Sequence, residues 1–114
     1  MKKRDYRDYI LDIIESVKEI ESFTIDMTFE DFINDKKTIN AVIRSIEVIG
    51  EATKQLSRSF RTQYPSIPWK KMAGMRDKLI HGYFGVDLEA VWQTVKRDLP
   101  TLQKAVKDIL NKTS

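Results

Sequence analysis

Near the N-terminus, Tyr6, Tyr9, Ile10, Ile13, Ile14, Val17 and Ile20 return every three or four residues. That spacing is the apolar stripe of an amphipathic helix, and it predicts one over about 5–22. The same period recurs in Ile39, Val42, Ile43, Ile46, Ile49 and Leu56, and in Leu88, Val91, Trp92, Val95, Leu99, Leu102, Val106 and Ile109. An all-β chain needs a turn about every ten residues. With 4 glycines and 3 prolines, this chain lacks the turn chemistry for that. The reading is an all-α chain.

Start and stop residues sharpen it. Thr28 is an N-cap with Asp31 three positions on, an echo of a capping box. The second long helix is predicted from Asp35 to Leu56, with Gly50 and Ala52 as places where a neighbouring helix can come close. A further helical turn over Phe60 to Tyr64 ends at Pro65. Pro68 suits the first position of a third major helix, whose stripe runs Trp69, Met72, Ala73, Arg76, Leu79, Ile80, Tyr83, with Gly82 and Gly85 as stops. Asp87 caps the last helix. Its apolar phase survives Pro100, which predicts a kink rather than a break. The expected architecture is an antiparallel four-helix bundle with short extra helical turns.

At 114 residues the expectation is one helical domain over 1–114. The chain has no cysteine, which removes disulfides and thiolate zinc sites and fits a reducing cytoplasm. A single histidine argues against a His-based metal centre, so no metal and no cofactor are expected. No apolar run approaches the roughly 20 residues of a membrane span. Net charge is +3, a mild lean toward phosphate-bearing partners.

The one histidine lies in MRDKLIHGYFG, Met75 to Gly85. Arg76 sits inside the apolar stripe, where pattern alone asks for leucine. Either its stem packs and its head reaches water, or its planar fork is held inward to grip an anion. On a continuous helix Tyr83 would share its face, about 20° away, whereas His81 would stand about 140° round. Release of the helix at Gly82, or a second subunit, would repair that mismatch. Asp77, four residues before His81, is either a hydrogen-bond partner that orients the imidazole or a solvated charge. Lys70, Lys71 and Lys78 are either an approach path for a phosphate-bearing partner or ordinary surface lysines. Glu51 either reaches the basic motif from the second helix or pairs with Lys54. Trp69 and Trp92 fall on apolar stripes and read as packing.

Arg76, four residues, His81, Gly82, Tyr83 resembles the Arg-x4-His-x-Tyr motif of HEPN domains, specifically the HepT toxin family. The segments RSIEVIGEATKQL (Arg44 to Leu56), PSIPWKKMAGMRDKLIHGYFGVDLEAVW (Pro65 to Trp92) and DLPTL (Asp98 to Leu102) look like the family's sequence around that motif. The resemblance implies a helical homodimer with the motifs of two subunits facing one cleft. It implies a cytoplasmic, metal-independent endoribonuclease acting on RNA, tRNA among the candidates, within a type VII-like toxin–antitoxin pair. The partner would be an MntA-type nucleotidyltransferase antitoxin that transfers AMP to Tyr83. Arg76 and His81 would be catalytic, with Asp77, Lys78 and Glu51 in support. The alternative is a non-catalytic helical subunit that holds nucleotide or substrate for a nucleotidyltransferase.

Overall fold

The structure, a computed structural model, describes residues 4–75, 80–81 and 85–113, with backbone alone at 80–81, 85–86 and 113. Asp5 opens the first helix, α1 (Tyr6–Phe23), with a reciprocal capping box to Asp8. Thr28 and Asp31 form the same device at α2 (Phe29–Ile33). Each box satisfies two backbone donors that a helix start otherwise leaves unpaired. Asp35 caps α3 (Lys36–Gln55) by accepting from the Thr38 amide. Ser57 caps α4 (Arg58–Thr62), and α5 (Trp69–Ala73) follows Pro68. After a two-stranded ribbon, β1 (Ile80–His81) with β2 (Gly85–Val86), come α6 (Leu88–Gln93), a π-helical turn (Thr94–Asp98) and α7 (Leu99–Thr113).

The helical periods end up inside. Ile10, Ile13, Val17 and Ile20 of α1 meet Val42, Ile46 and Ile49 of α3, and Leu99, Val106 and Ile109 of α7 join the same core. α1 packs against both α3 and α7, and α3 packs against α5. Each such side chain contributes roughly 1.5–3 kcal/mol when fully buried, so this core dominates the favourable side of folding. Among the described residues, no helix is long and apolar enough to cross a membrane.

The helix expected from Pro68 to Tyr83 is the main correction. α5 ends at Ala73, where Gly74 caps it, and Ile80–His81 is extended backbone paired with Gly85–Val86. Ile80 and Val86 are β-branched and favour a pleated conformation. Met75 is again helical, but His81 stands on extended backbone, so one continuous helix from Pro68 does not reach it; residues 76–79 and 82–84 lie outside the described residues.

Pro100 does not break the last helix, which runs on into α7. The π turn ends immediately before it, with the Leu99 amide donating to the Thr94 carbonyl five residues back. Proline lacks an N–H, and its ring crowds the carbonyl four residues earlier. A wider turn gives that carbonyl room. It also keeps Val91, Val95 and Leu99 in line, where two four-residue steps of an α-helix would drift by about 80°.

Candidate active site

The chain is clamped on its way into the motif. Phe60 of α4 is buried at the centre of an aromatic cluster, stacked on Tyr6 at 4.9 Å and flanked by Tyr64 at 5.2 Å and Trp69 at 6.1 Å between ring centres. The Trp69 indole Nε1–H donates to the carbonyls of Arg61 and Tyr64, both at 3.0 Å. The segment carrying Pro65 and Pro68 is thereby tied to the start of α5. Met72 and Met75 are buried, so the chain is anchored in the core at the residue before Arg76. α5 lies close on α3 at Gly50, where a Cβ would stand 3.4 Å from the Ala73 carbonyl oxygen.

On the far side, Asp87 fixes the chain again. Its carboxylate accepts from the Ala90 amide at 3.0 Å and starts α6. Between these anchors the ribbon pairs Ile80 with Val86 and His81 with Gly85. His81 thus sits on extended backbone at the head of a short connection. Arg76, Asp77, Lys78 and Tyr83 lie outside the described residues, as does the side chain of His81.

Glu51 is exposed on α3 and lines a shallow groove with Arg4, Tyr9, Asp12 and Arg44. Arg4 binds Asp12 there at 2.7 Å and covers the Tyr9 ring at 4.8 Å. The hydrogen bond that Arg4 donates to the Asp12 carboxylate holds the guanidinium's pKa above its ordinary value. Glu51 itself makes no ion pair with Lys54 among the described residues. Lys70 and Lys71 are exposed on α5, and Lys71 reaches Asp98 of the π turn at 3.5 Å. Trp69 is buried as its place on the stripe predicts. Trp92 is half-buried against Phe32 at 5.2 Å, with the Lys96 ammonium 4.7 Å above its ring.

A second groove opens between α5 and α7, with a volume of about 240 Å³. Pro68, Met72, Met75, Leu102 and Ala105 form its apolar part, and Ser66, Lys71, Arg97, Asp98 and Thr101 its polar edge. Sequence reading missed it, because its two cations come from segments far apart in the chain.

Comparisons with known proteins bear on this segment. The family model described as ribonuclease HepT-like matches residues 13–109. A protein of Thermococcus cleftensis named "probable ribonuclease HepT" is 54% identical over 101 residues, covering 89% of this chain and 92% of its own. A Methanocaldococcus jannaschii protein named "putative RNase" is 51% identical over 110 residues, covering 96% and 91%. A longer protein of the same organism, named "gamma-glutamylcyclotransferase and putative RNase", is 47% identical over 108 residues, which span 95% of this chain and 49% of that one. No solved structure gives a significant match.

Proposed function

The chain belongs to the HepT-like ribonuclease family of the HEPN superfamily, and from that premise we propose that it is a metal-independent endoribonuclease, the toxin of a toxin–antitoxin pair. The single observation that carries the reading is the Arg76, His81, Tyr83 spacing, met in a chain about half identical to relatives named as ribonucleases.

The chemistry needs a base at a ribose 2′-hydroxyl, an acid for the leaving 5′-oxygen, and positive charge at the phosphorane. His81 supplies a group that titrates near neutrality. Arg76 stabilises charge developing on the phosphoryl oxygens. One imidazole cannot be base and acid at the same instant, so the working unit is a homodimer in which a second His81 shares the cleft. Asp77 orients an imidazole, and Lys78 and Glu51 tune the charge around it. Attack by the 2′-oxygen on phosphorus expels the 5′-oxygen and leaves a 2′,3′-cyclic phosphate.

Tyr83 is the point of control. A partner nucleotidyltransferase moves AMP from ATP to its hydroxyl with loss of pyrophosphate. The added phosphate brings negative charge and bulk where an RNA phosphate must sit. The protein works in the cytoplasm beside its RNA, tRNA included, and beside that antitoxin.

The test is cleavage of a defined single-stranded RNA in EDTA. Wild-type protein is expected to cut and leave cyclic phosphate ends. His81→Ala and Arg76→Ala should each lose about 10² or more of the rate while keeping the helical fold. A requirement for Mg²⁺, or 5′-phosphate products, overturns the mechanism.

A further inference from the structure

We propose that the groove between α5 and α7 seats one unpaired nucleotide of the RNA, its base on the Met72, Met75 and Leu102 floor and its phosphate on Arg97 and Lys71. The inference rests on the ribonuclease reading above and adds a substrate subsite to it. Size is the first argument. About 240 Å³ is less than the roughly 300–1,000 Å³ of pockets that enclose a drug-sized ligand, a size that suits a single base. Five of its lining residues are apolar, and the two methionines, though buried, bring soft, polarisable thioethers to its floor that can pack an aromatic ring.

Charge is the second argument. Arg97 is exposed, and its Nη1 donates to the neutral Gln93 Oε1 at 3.0 Å, so that bond leaves the charge uncompensated. A guanidinium fork matches a phosphate bidentately. Lys71 meets Asp98 at 3.5 Å with both side chains about half exposed, at 53% and 43%. Such pairs contribute little, so a phosphate competes for the ammonium readily.

Location is the third. Met75 belongs to the floor and is bonded to Arg76, the residue proposed to grip the scissile phosphate. A nucleotide in the groove is therefore held at the entrance of the motif. An acidic protein segment answering the same cations is the outcome the test must separate.

The test uses the full-length His81→Ala protein, which binds without cutting, and a labelled single-stranded oligoribonucleotide. Adding Arg97→Ala and Lys71→Ala together should weaken binding about tenfold and lower the salt slope by about one. Lys18→Ala, on the separate α1 face, should leave affinity unchanged. The same oligonucleotide annealed to its complement should bind more weakly. In the cleaving protein, the double substitution should raise KM with little change in kcat. Unchanged affinity in the double variant, an equal loss from Lys18→Ala, or equal binding of duplex overturns the seat. So does loss of binding to an acidic protein partner with RNA affinity intact. If wild type still cleaves and His81→Ala does not, the ribonuclease reading survives that failure. A wild-type protein that neither binds nor cuts RNA overturns both.

Discussion

Gly50 of α3 faces the backbone of α5 so closely that a Cβ would stand 3.4 Å from the Ala73 carbonyl oxygen and 3.7 Å from that of Met72. One methyl group fits at ordinary contact distance, and alanine is the better helix former by roughly 0.5–1 kcal/mol. Gly50→Ala is therefore expected to fold normally, with a melting temperature equal to or slightly above wild type. Gly50→Leu has no such room and must push α5 away, at about 1–3 kcal/mol. Because α5 leads directly into the motif, that variant should also lose RNA cleavage well below its melting temperature. Thermal melts and cleavage rates on the two variants separate the outcomes.

Trp69→Phe tests the clamp ahead of the motif. The substitution removes the indole donor to the Arg61 and Tyr64 carbonyls. Both carbonyls keep a backbone donor, Tyr64 N–H at 3.1 Å and Ile67 N–H at 3.2 Å, so no acceptor is orphaned. The expected cost is that of ordinary hydrogen bonds, about 1–2 kcal/mol, or several degrees in melting temperature for a small domain. Cleavage measured on the folded protein should be unchanged. A collapse of activity without loss of stability would show that the clamp positions the motif.

The start of α3 should make stability depend on acid. The Thr38 hydroxyl donates to Asp35 at 2.8 Å, and this, with the Thr38 amide at 3.1 Å, holds the carboxyl below its ordinary range. A carboxyl depressed in the folded state contributes stability that is fully present above its unfolded value of about 4. That contribution is lost as pH falls through the folded value. Asp35→Asn remains an N-cap but does not titrate. The stability gap between wild type and Asp35→Asn is expected at pH 6 and should shrink toward about pH 3. Melts across that range check it, and a gap that is constant with pH excludes the linkage.

Legibility followed the physics of local pattern. The caps at Asp5, Thr28, Asp35 and Asp87 are local, and those at Thr28, Asp35 and Asp87 were readable as helix starts, as was the close approach at Gly50. The helix through Ile80 was misread because Leu79 and Ile80 keep the phase set by Trp69 and Met72. A short apolar run holding that phase does not distinguish strand from helix, and here the β-branched residues decide for the ribbon. The π turn was hidden because a single four-residue apolar step is ordinary in an α-helix and the drift shows only over two. The identities of Arg76, His81 and Tyr83 were legible as a motif. The α5–α7 groove was not, because Lys71 and Arg97 meet only through tertiary packing.

Tyr83 is the residue on which control of the proposed activity turns. The chain has 4 tyrosines, and the structure shows what holds the other three. Tyr6 stacks on Phe60, Tyr64 packs against the same ring, and Tyr9 lies under Arg4. Each is committed to packing, and none belongs to the Arg-x4-His-x-Tyr spacing. Tyr83 follows His81 by two residues in the sequence and lies outside the described residues. With the partner nucleotidyltransferase and ATP, wild-type protein should gain the mass of one AMP per modified chain and lose RNA cleavage in proportion. Tyr83→Phe should gain no mass, keep measurable cleavage in EDTA, and become insensitive to the partner's enzymatic action. Intact-mass measurement with peptide mapping, run beside the cleavage assay, checks each step. AMP mapped to Tyr6, Tyr9 or Tyr64, or a Tyr83→Phe protein still silenced in an ATP-dependent way, overturns the assignment without touching the roles of Arg76 and His81.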